Sequence, residues 1–378
     1  MKAMSLFLHS PDSDSKLTTF YEKAFSNAIE LYIVTAYLTD WNEHLRLNKD
    51  CKSFRVIIGK DFGITKKDAC QKLLNWLPSK RKGQFLVADL IGGFHPKAVF
   101  WKEANQKCFA IIGSSNLTKA AFETNYEANV YSEISNSDFI SAKEWILEIE
   151  YKSVVVSEDW LTKYSEANRV YINNKNKSHS NSIIANIKLP SPRGIKKSIL
   201  VRREQLSIFS KYKSRLKNLF YRCANDEGMT SIDFYNELQS YWGFDIGDRM
   251  QGKGWEILGK HSNFKELSLS FVNIIEADKK NRDDVVVEEI DRLSGLNVPT
   301  RKAFLSEMLC LFFPNEYPLL NTPVISYLKK IKFRPPRDAS EGTRYIDIAR
   351  KLRFSLIQNP DHPAKNLAEL DTVIWSST

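Results

Sequence analysis

The chain has 378 residues, 43% of them apolar and 26% charged, and carries a formal net charge of +10. Such a composition argues against disorder and leaves mass for sizeable cores, while the length exceeds what one core usually fills, so two domains are expected. No apolar run is long enough to cross a bilayer, the opening MKAMSLFLHSPDSD has too short an apolar stretch for a signal peptide, and Cys51, Cys70, Cys108, Cys223 and Cys310 form no C-x-x-C pair. A cytoplasmic protein with reduced thiols, no membrane association and no bound metal or cofactor is expected.

The elements read in chain order fall into two halves. Ala3 to His9, Glu30 to Leu38, Ser53 to Gly59, Gln84 to Ile91, His95 to Trp101, Lys107 to Gly113 and Ala128 to Ile134 are short runs rich in β-branched and aromatic residues and predict strands. Between them, Ser15 to Ile29, Lys66 to Leu77 with Thr65 as a possible N-cap, and Ser137 to Tyr151 have apolar residues at helical spacing. Interleaving of this kind predicts an α/β domain over residues 1–165, a mixed sheet flanked by helices. Residues 166–200, with their Asn, Ser and Lys and with Pro190 and Pro192, read as a basic polar linker. Residues 201–378 then predict a mainly α-helical domain, with helices at Arg203 to Tyr221, Ser231 to Tyr241, Asn263 to Asp278, Val285 to Leu293, Arg301 to Phe313 and Thr322 to Ile331.

The positive charge is concentrated. Between Tyr171 and Arg222 stand thirteen Lys and Arg against the single acid Glu204, so this stretch carries +12 and the rest of the chain −2. A local basic run beside balanced domains is the electrostatic footprint of a protein that tracks a phosphate backbone, with Lys196, Lys197, Arg202 and Arg203 as the candidate contacts. The plainer reading is a solubilising linker. The rings of Phe209, Tyr212, Phe220 and Tyr221 lie among these cations at helical spacing, which assigns them to the core face of a helix and leaves the cations to meet phosphate.

The chemistry is concentrated in FHPKAVFWKEANQKCFAIIGSSNLTKAAFETNYEANV. His95 and Lys97, two apart on a predicted strand, leave one face of it, and Ser114 and Asn116 repeat that spacing where the strand AIIG ends. Glu127 follows at the start of the next strand. An imidazole, an ammonium, a hydroxyl, a carboxamide and a carboxylate brought to one pocket supply a nucleophile and fixed positive or dipolar groups for phosphoryl oxygens. In this reading neutral His95 attacks phosphorus, Lys97 and Asn116 hold the oxygens, Glu127 orients the imidazole and Ser114 supports the set by hydrogen bonding.

H-P-K followed by G-S-S-N resembles the H-x-K and G-S-x-N elements of the phospholipase D superfamily, and Glu127 stands where nuclease members of that family place a glutamate. The resemblance covers roughly residues 1–165. It implies a phospholipase-D-like fold and a covalent phosphohistidine on His95, with a second motif copy supplying the acid. Since one H-x-K with a following G-S-x-N occurs in the chain, it also implies a homodimer with one composite site. The family's acid seven positions after the histidine is Lys102 here.

These features together predict a metal-independent endonuclease in which the helical domain holds nucleic acid, DNA rather than RNA, and family likeness suggests a restriction or phage-defence setting. A phospholipid phosphodiesterase is the alternative, since the same pocket chemistry cleaves lipids in this superfamily. A third reading makes the chain a nuclease subunit active only when its helical half recruits a helicase or ATPase. Two decoys are set aside. GWEILGKH, from Gly254 to His261, lacks the Ser or Thr that a phosphate loop requires, and Asp283, Asp284, Glu288 and Glu289 read as a solvated helix start rather than a magnesium site.

Overall fold

Seven predicted strands and one short additional strand close into a single eight-stranded sheet in the computed structural model of the protein, which describes residues 4–11, 16–167, 187–225, 228–252 and 259–377. In chain order the strands are β1 (Met4–His9), β2 (Ala28–Thr35), β3 (Ser53–Ile58), β4 (Phe85–Val87), β5 (Lys97–Glu103), β6 (Cys108–Gly113), β7 (Glu127–Ile134) and β8 (Val154–Val155). Their order across the sheet is β1-β7-β6-β5-β2-β3-β4-β8, with β2, β3 and β4 parallel and the other pairings antiparallel. The parallel strands are covered on both faces, which is why LYIVT and FRVII read as nearly unbroken apolar runs.

On one face, Phe139, Ile146 and Ile149 of the helix Asn136–Tyr151 pack on Tyr32, Val34, Ile57, Phe100 and Ala110. That helix starts at a capping box in which Ser135 and Asp138 satisfy each other's backbone N–H groups. Elsewhere in this unit, Phe25 of the helix Lys16–Asn27 meets Trp41, Phe54 and Trp76 in edge-on contacts with ring centres 5.8 to 6.2 Å apart.

The chain divides into two compact units, Met1–Ala185 with Pro335–Ala339 and Asn186–Arg334 with Ser340–Thr378. The second is helical. Its elements include Ile195–Asn225, Ser231–Leu238, Phe264–Glu276, Arg282–Gly295, Ser306–Phe312, Thr322–Lys330, Glu341–Gln358 and Leu367–Trp375. Phe220, Phe234, Phe264, Phe271 and Phe304 form the centre of its larger core. Gly342 lets the helix Glu341–Gln358 approach Arg282–Gly295, since a Cβ there would sit 2.5 Å from the Val287 carbonyl oxygen.

Several boundaries differ from the sequence reading. Thr65 is no N-cap: the helix Lys67–Trp76 starts after Lys66, and the buried Thr65 hydroxyl donates to the Gly59 carbonyl at 2.8 Å and accepts from the Leu38 N–H at 3.3 Å. The long helix begins at Ile195, inside the stretch read as linker, while residues 168–186 of that stretch lie outside the described ones. Asp283 binds Arg350 and Tyr317, and Glu289 binds Ser270, Asn273 and Arg292, so these carboxylates serve packing of the helical unit.

The sheet ends that matter chemically depend on Gly113. A Cβ there would lie 2.4 Å from the Ala128 carbonyl oxygen and 2.3 Å from Asn129 Oδ1, so β6 and β7 close only around a glycine. Gly113→Ala is expected to cost about 1–3 kcal/mol through overpacking. A thermal-unfolding scan should show the sheet-containing unit melting several degrees lower, and an unchanged transition would contradict the close approach.

Candidate active site

Five strands finish or start at one end of the sheet. Thr35 closing β2 pairs with Ile58 closing β3 and with Lys97 opening β5, Ala98 pairs with Ile112 near the end of β6, and Gly113 pairs with Asn129 near the start of β7. Each residue of the motif therefore leaves from this end, which is where the chemistry gathers.

His95 is not on β5 but in the loop just ahead of it, exposed to solvent. Two devices hold it. Pro96 keeps its backbone extended, and the preceding Phe94 is buried, with Gly59 leaving room for it: a Cβ on Gly59 would be 3.1 Å from the Phe94 ring and 2.5 Å from the Ala36 carbonyl oxygen. The buried Asp61 carboxylate then accepts the N–H groups of Gly93 at 2.7 Å and Phe94 at 3.2 Å. The imidazole meets the Tyr37 ring edge-on at 5.8 Å between centres.

Lys97 Nζ lies 2.9 Å from His95 Nδ1 and 3.2 Å from Nε2, and also donates to the His95 carbonyl oxygen at 3.0 Å. Burial lowers the Lys97 pKa from the ordinary lysine value, and the negative charge of Glu127 opposes that shift. An ammonium in this position is a strong fixed charge, short of water and backed by a carboxylate.

Asn116 is oriented by its oxygen. Its Oδ1 accepts from the Thr35 hydroxyl and from the Tyr37 backbone N–H, each at 3.2 Å, so the NH₂ is the end that can meet a phosphoryl oxygen. The loop carrying it is tied down by Leu117, whose N–H reaches Thr35 Oγ1 at 3.2 Å and whose carbonyl accepts from Thr39 at 2.9 Å. Ser115 is bonded to Asn129 of β7 through backbone and hydroxyl.

Glu127 is buried and its oxygens carry Ser114 Oγ and, at 3.1 Å, Asn125 Nδ2. The Ser114 hydroxyl in turn accepts the Ala128 N–H at 3.0 Å. This differs from the expected grip of Glu127 on the imidazole: the carboxylate sits beside the Ser114 loop and acts on Lys97 through its charge. The structure thus brings His95, Lys97, Ser114, Asn116 and Glu127 to one sheet end and adds Thr35, Tyr37, Asp61 and Asn125, none of which had a local sequence signal. Burial and the nearby Asp61 charge raise the Tyr37 pKa, keeping that phenol protonated. Among the described residues, no group of three or more His, Cys, Asp or Glu is placed to hold a metal ion.

Residues 15–158 match the family model described as the NgoFVII restriction endonuclease N-terminal PLD domain. This part of the chain has a phospholipase-D-like fold. Among solved structures, the chain is similar to NucT from Helicobacter pylori, at 19% identity over 41% of this chain and 100% of that one, with a TM-score of 0.31. Nuc from Salmonella typhimurium, a phospholipase D family member, matches at 16% identity over 40% of this chain and 97% of its own, with a TM-score of 0.28. Phosphatidylserine synthase from Haemophilus influenzae Rd KW20 matches at 13% over 41% and 40%, with a TM-score of 0.29. No curated protein matches the sequence.

The basic residues named from sequence separate outside the phospholipase-D-like domain. Lys196 and Lys197 are exposed. Arg202 is buried, with its guanidinium on Asp371 and Thr372 at 2.8 Å, and Arg203 forks onto Glu369 at 2.8 and 3.1 Å. These two arginines brace the helical unit, and burial puts Arg202 out of reach of a phosphate backbone. Of the rings assigned to the core face, Phe209 and Phe220 are buried while Tyr212 and Tyr221 are only half-buried, and Lys211 and Arg215 stay exposed. No helix among the described residues is long and apolar enough to cross a membrane.

The lowered Lys97 pKa has a kinetic consequence. If its charge meets the substrate, kcat/KM should fall on the alkaline side at a pH below the ordinary lysine value of 10.5. Lys97→Arg keeps a cation that titrates above about 12, so it should lower the rate and abolish that limb. A pH–rate profile of both proteins checks this: a limb set by a general acid remains in both, and a further fall at higher pH that persists in the arginine variant would assign that fall to a group other than Lys97.

Proposed function

We propose that the protein is a phosphodiesterase acting on nucleic acid, a metal-independent endonuclease that cleaves through a covalent phosphohistidine. The observation that carries this reading is the solvent-facing His95 imidazole with the Lys97 ammonium against it and the Asn116 amide fixed nearby, in a domain matched by a restriction endonuclease family model. A ring nitrogen of His95 attacks phosphorus, and the bond to the leaving oxygen breaks. Lys97 and Asn116 meet the charge that grows on the non-bridging oxygens, where a preorganised cation and dipole act most strongly. Glu127 supports the charge on Lys97 and holds the Ser114 loop.

The leaving oxygen needs a proton, and this chain carries one H-x-K with a following G-S-x-N. We assign the acid to the partner subunit's His95 in a homodimer, as an imidazolium that gives its proton to the leaving oxygen. Water then attacks the phosphohistidine, the neutral partner imidazole takes the water proton, and the P–N bond breaks to restore His95. Met4, Leu6 and Leu8 on β1 and Ile112 on β6 are exposed, which offers such a pairing apolar surface. DNA is the proposed polymer, with restriction or phage defence as the proposed setting. Lys196, Lys197, Lys211 and Arg215 support binding to it, because exposed cations on one helix attract phosphates. A helicase or ATPase partner for the helical unit is a second proposal, motivated by a unit this large that carries none of the motif residues.

The test is cleavage of plasmid and of short oligonucleotides by the purified chain in excess chelator, beside His95→Ala. Wild type is expected to cut, and the variant to lose activity by about 10³-fold or more while keeping its oligomeric state in light scattering. A strict requirement for added magnesium would overturn the mechanism, and head-group release from phosphatidylglycerol vesicles without cutting of DNA would reassign the substrate.

A further inference from the structure

Phe62 is held in a conformation that a phenylalanine rarely adopts. Its backbone sits at φ 61° and ψ 3°, in the left-handed region, and its side chain stands 65% exposed. Both neighbours are committed elsewhere: Asp61 accepts the Gly93 and Phe94 N–H groups, and the Gly63 carbonyl accepts the Ala167 N–H at 2.9 Å. The chain therefore strains its backbone at a bulky residue and recovers little by burying it. An exposed, strained aromatic one residue from the anchor of the His95 loop points to a ligand that covers the ring.

A second ring matches it. Tyr126 is 82% exposed and directly precedes Glu127. In the sheet order, Tyr126 leads into β7 and Phe62 follows β3, while His95, Lys97, Ser114 and Asn116 belong to the ends of β5 and β6 between them. Four strand spacings of about 4.8 Å, roughly 19 Å, separate β3 from β7 across the sheet. In the order of the sheet, the two residues thus attach to strands on either side of those that carry the reacting groups.

We propose that Phe62 and Tyr126 are stacking platforms for nucleobases on either side of the scissile phosphate, so that the site takes nucleic acid whose bases are unpaired at the cut. This rests on the nuclease reading and names its substrate class. Base–aromatic stacking tolerates any sequence, because every base offers a π-face, and it requires that the bases leave the duplex stack.

The experiment measures affinity by fluorescence anisotropy for three probes of one length: a single-stranded oligonucleotide, the same strand with abasic sites at its centre, and the matching duplex. Wild type should bind the single strand more tightly than the abasic one. Phe62→Ala should lose roughly 5- to 100-fold in affinity for the single strand while its affinity for the abasic strand stays near that of wild type, and Phe62→Trp should restore the difference. Phe62→Gly, which relieves the backbone, should melt higher than wild type yet bind like the alanine variant. Equal affinity of wild type for intact and abasic strands, or an equal loss on both in Phe62→Ala, overturns the stacking role. Failure of wild type to bind or cut any of the probes would instead sink the nuclease reading.

Discussion

An ammonium pressed against an imidazole at the mouth of a sheet is an arrangement that the surrounding fold must enforce, because neither group gains from it in water. Lys97 is placed by register, opening β5 directly opposite Thr35, and His95 is placed by a loop whose preceding two N–H groups are taken by Asp61. The same Thr35 hydroxyl fixes the oxygen of Asn116, so one strand end aligns both the cation and the amide. Glu127 completes the electrostatics from β7, opposing the loss of charge that burial would impose on Lys97. Charge held this way needs no reorganisation when a phosphoryl group arrives, and for that reason such a set can stabilise a transition state by more than the same groups would in water.

The parts of this arrangement differ in how visible they are in the chain. H-x-K and G-S-x-N are local spacings, legible because a strand and the turn after it fix the direction of neighbouring side chains. Glu127 was legible by its place after them. Its partners were not: the expected hold on the imidazole is replaced by bonds to Ser114 and Asn125. Thr35 lies 81 residues from Asn116, and Asp61 lies 33 from Phe94, so only the closed sheet brings them together. Of the strands, those with β-branched runs were readable, whereas β8 consists of Val154 and Val155 alone and is defined by its pairing with Leu86 and Val87.

The helical unit shows a different kind of failure. Ile195, Ile199, Arg202 and Phe209 are buried along the long helix, a spacing that continues one stripe through the linker boundary drawn from composition. Arg202 hid that stripe, since an arginine at a core position reads as surface. Its place is explained by Asp371, itself held by Asn321, and by Thr372, which take Nη2 and Nε of the buried guanidinium while Nη1 has no hydrogen-bond partner, so the ionic group is met only in part. Charge counting located a basic segment, but burial divides it into cations that face solvent and arginines that hold helices together. The helices Glu341–Gln358 and Leu367–Trp375 went unread for a related reason: they are packed nearly all round, with buried Asp347, Lys351, Glu369 and Asp371 breaking the apolar pattern.

The identity of the nucleophile decides between this chemistry and any other that the fold could host. Wild-type protein mixed in chelator with a cleavable oligonucleotide, quenched in alkali within a turnover and digested for mass spectrometry, should carry a nucleotide joined through phosphorus to His95, stable to base and lost in acid. Cleavage that proceeds in chelator with His95 unmodified at every quench time, or with the nucleotide on another residue, would contradict it.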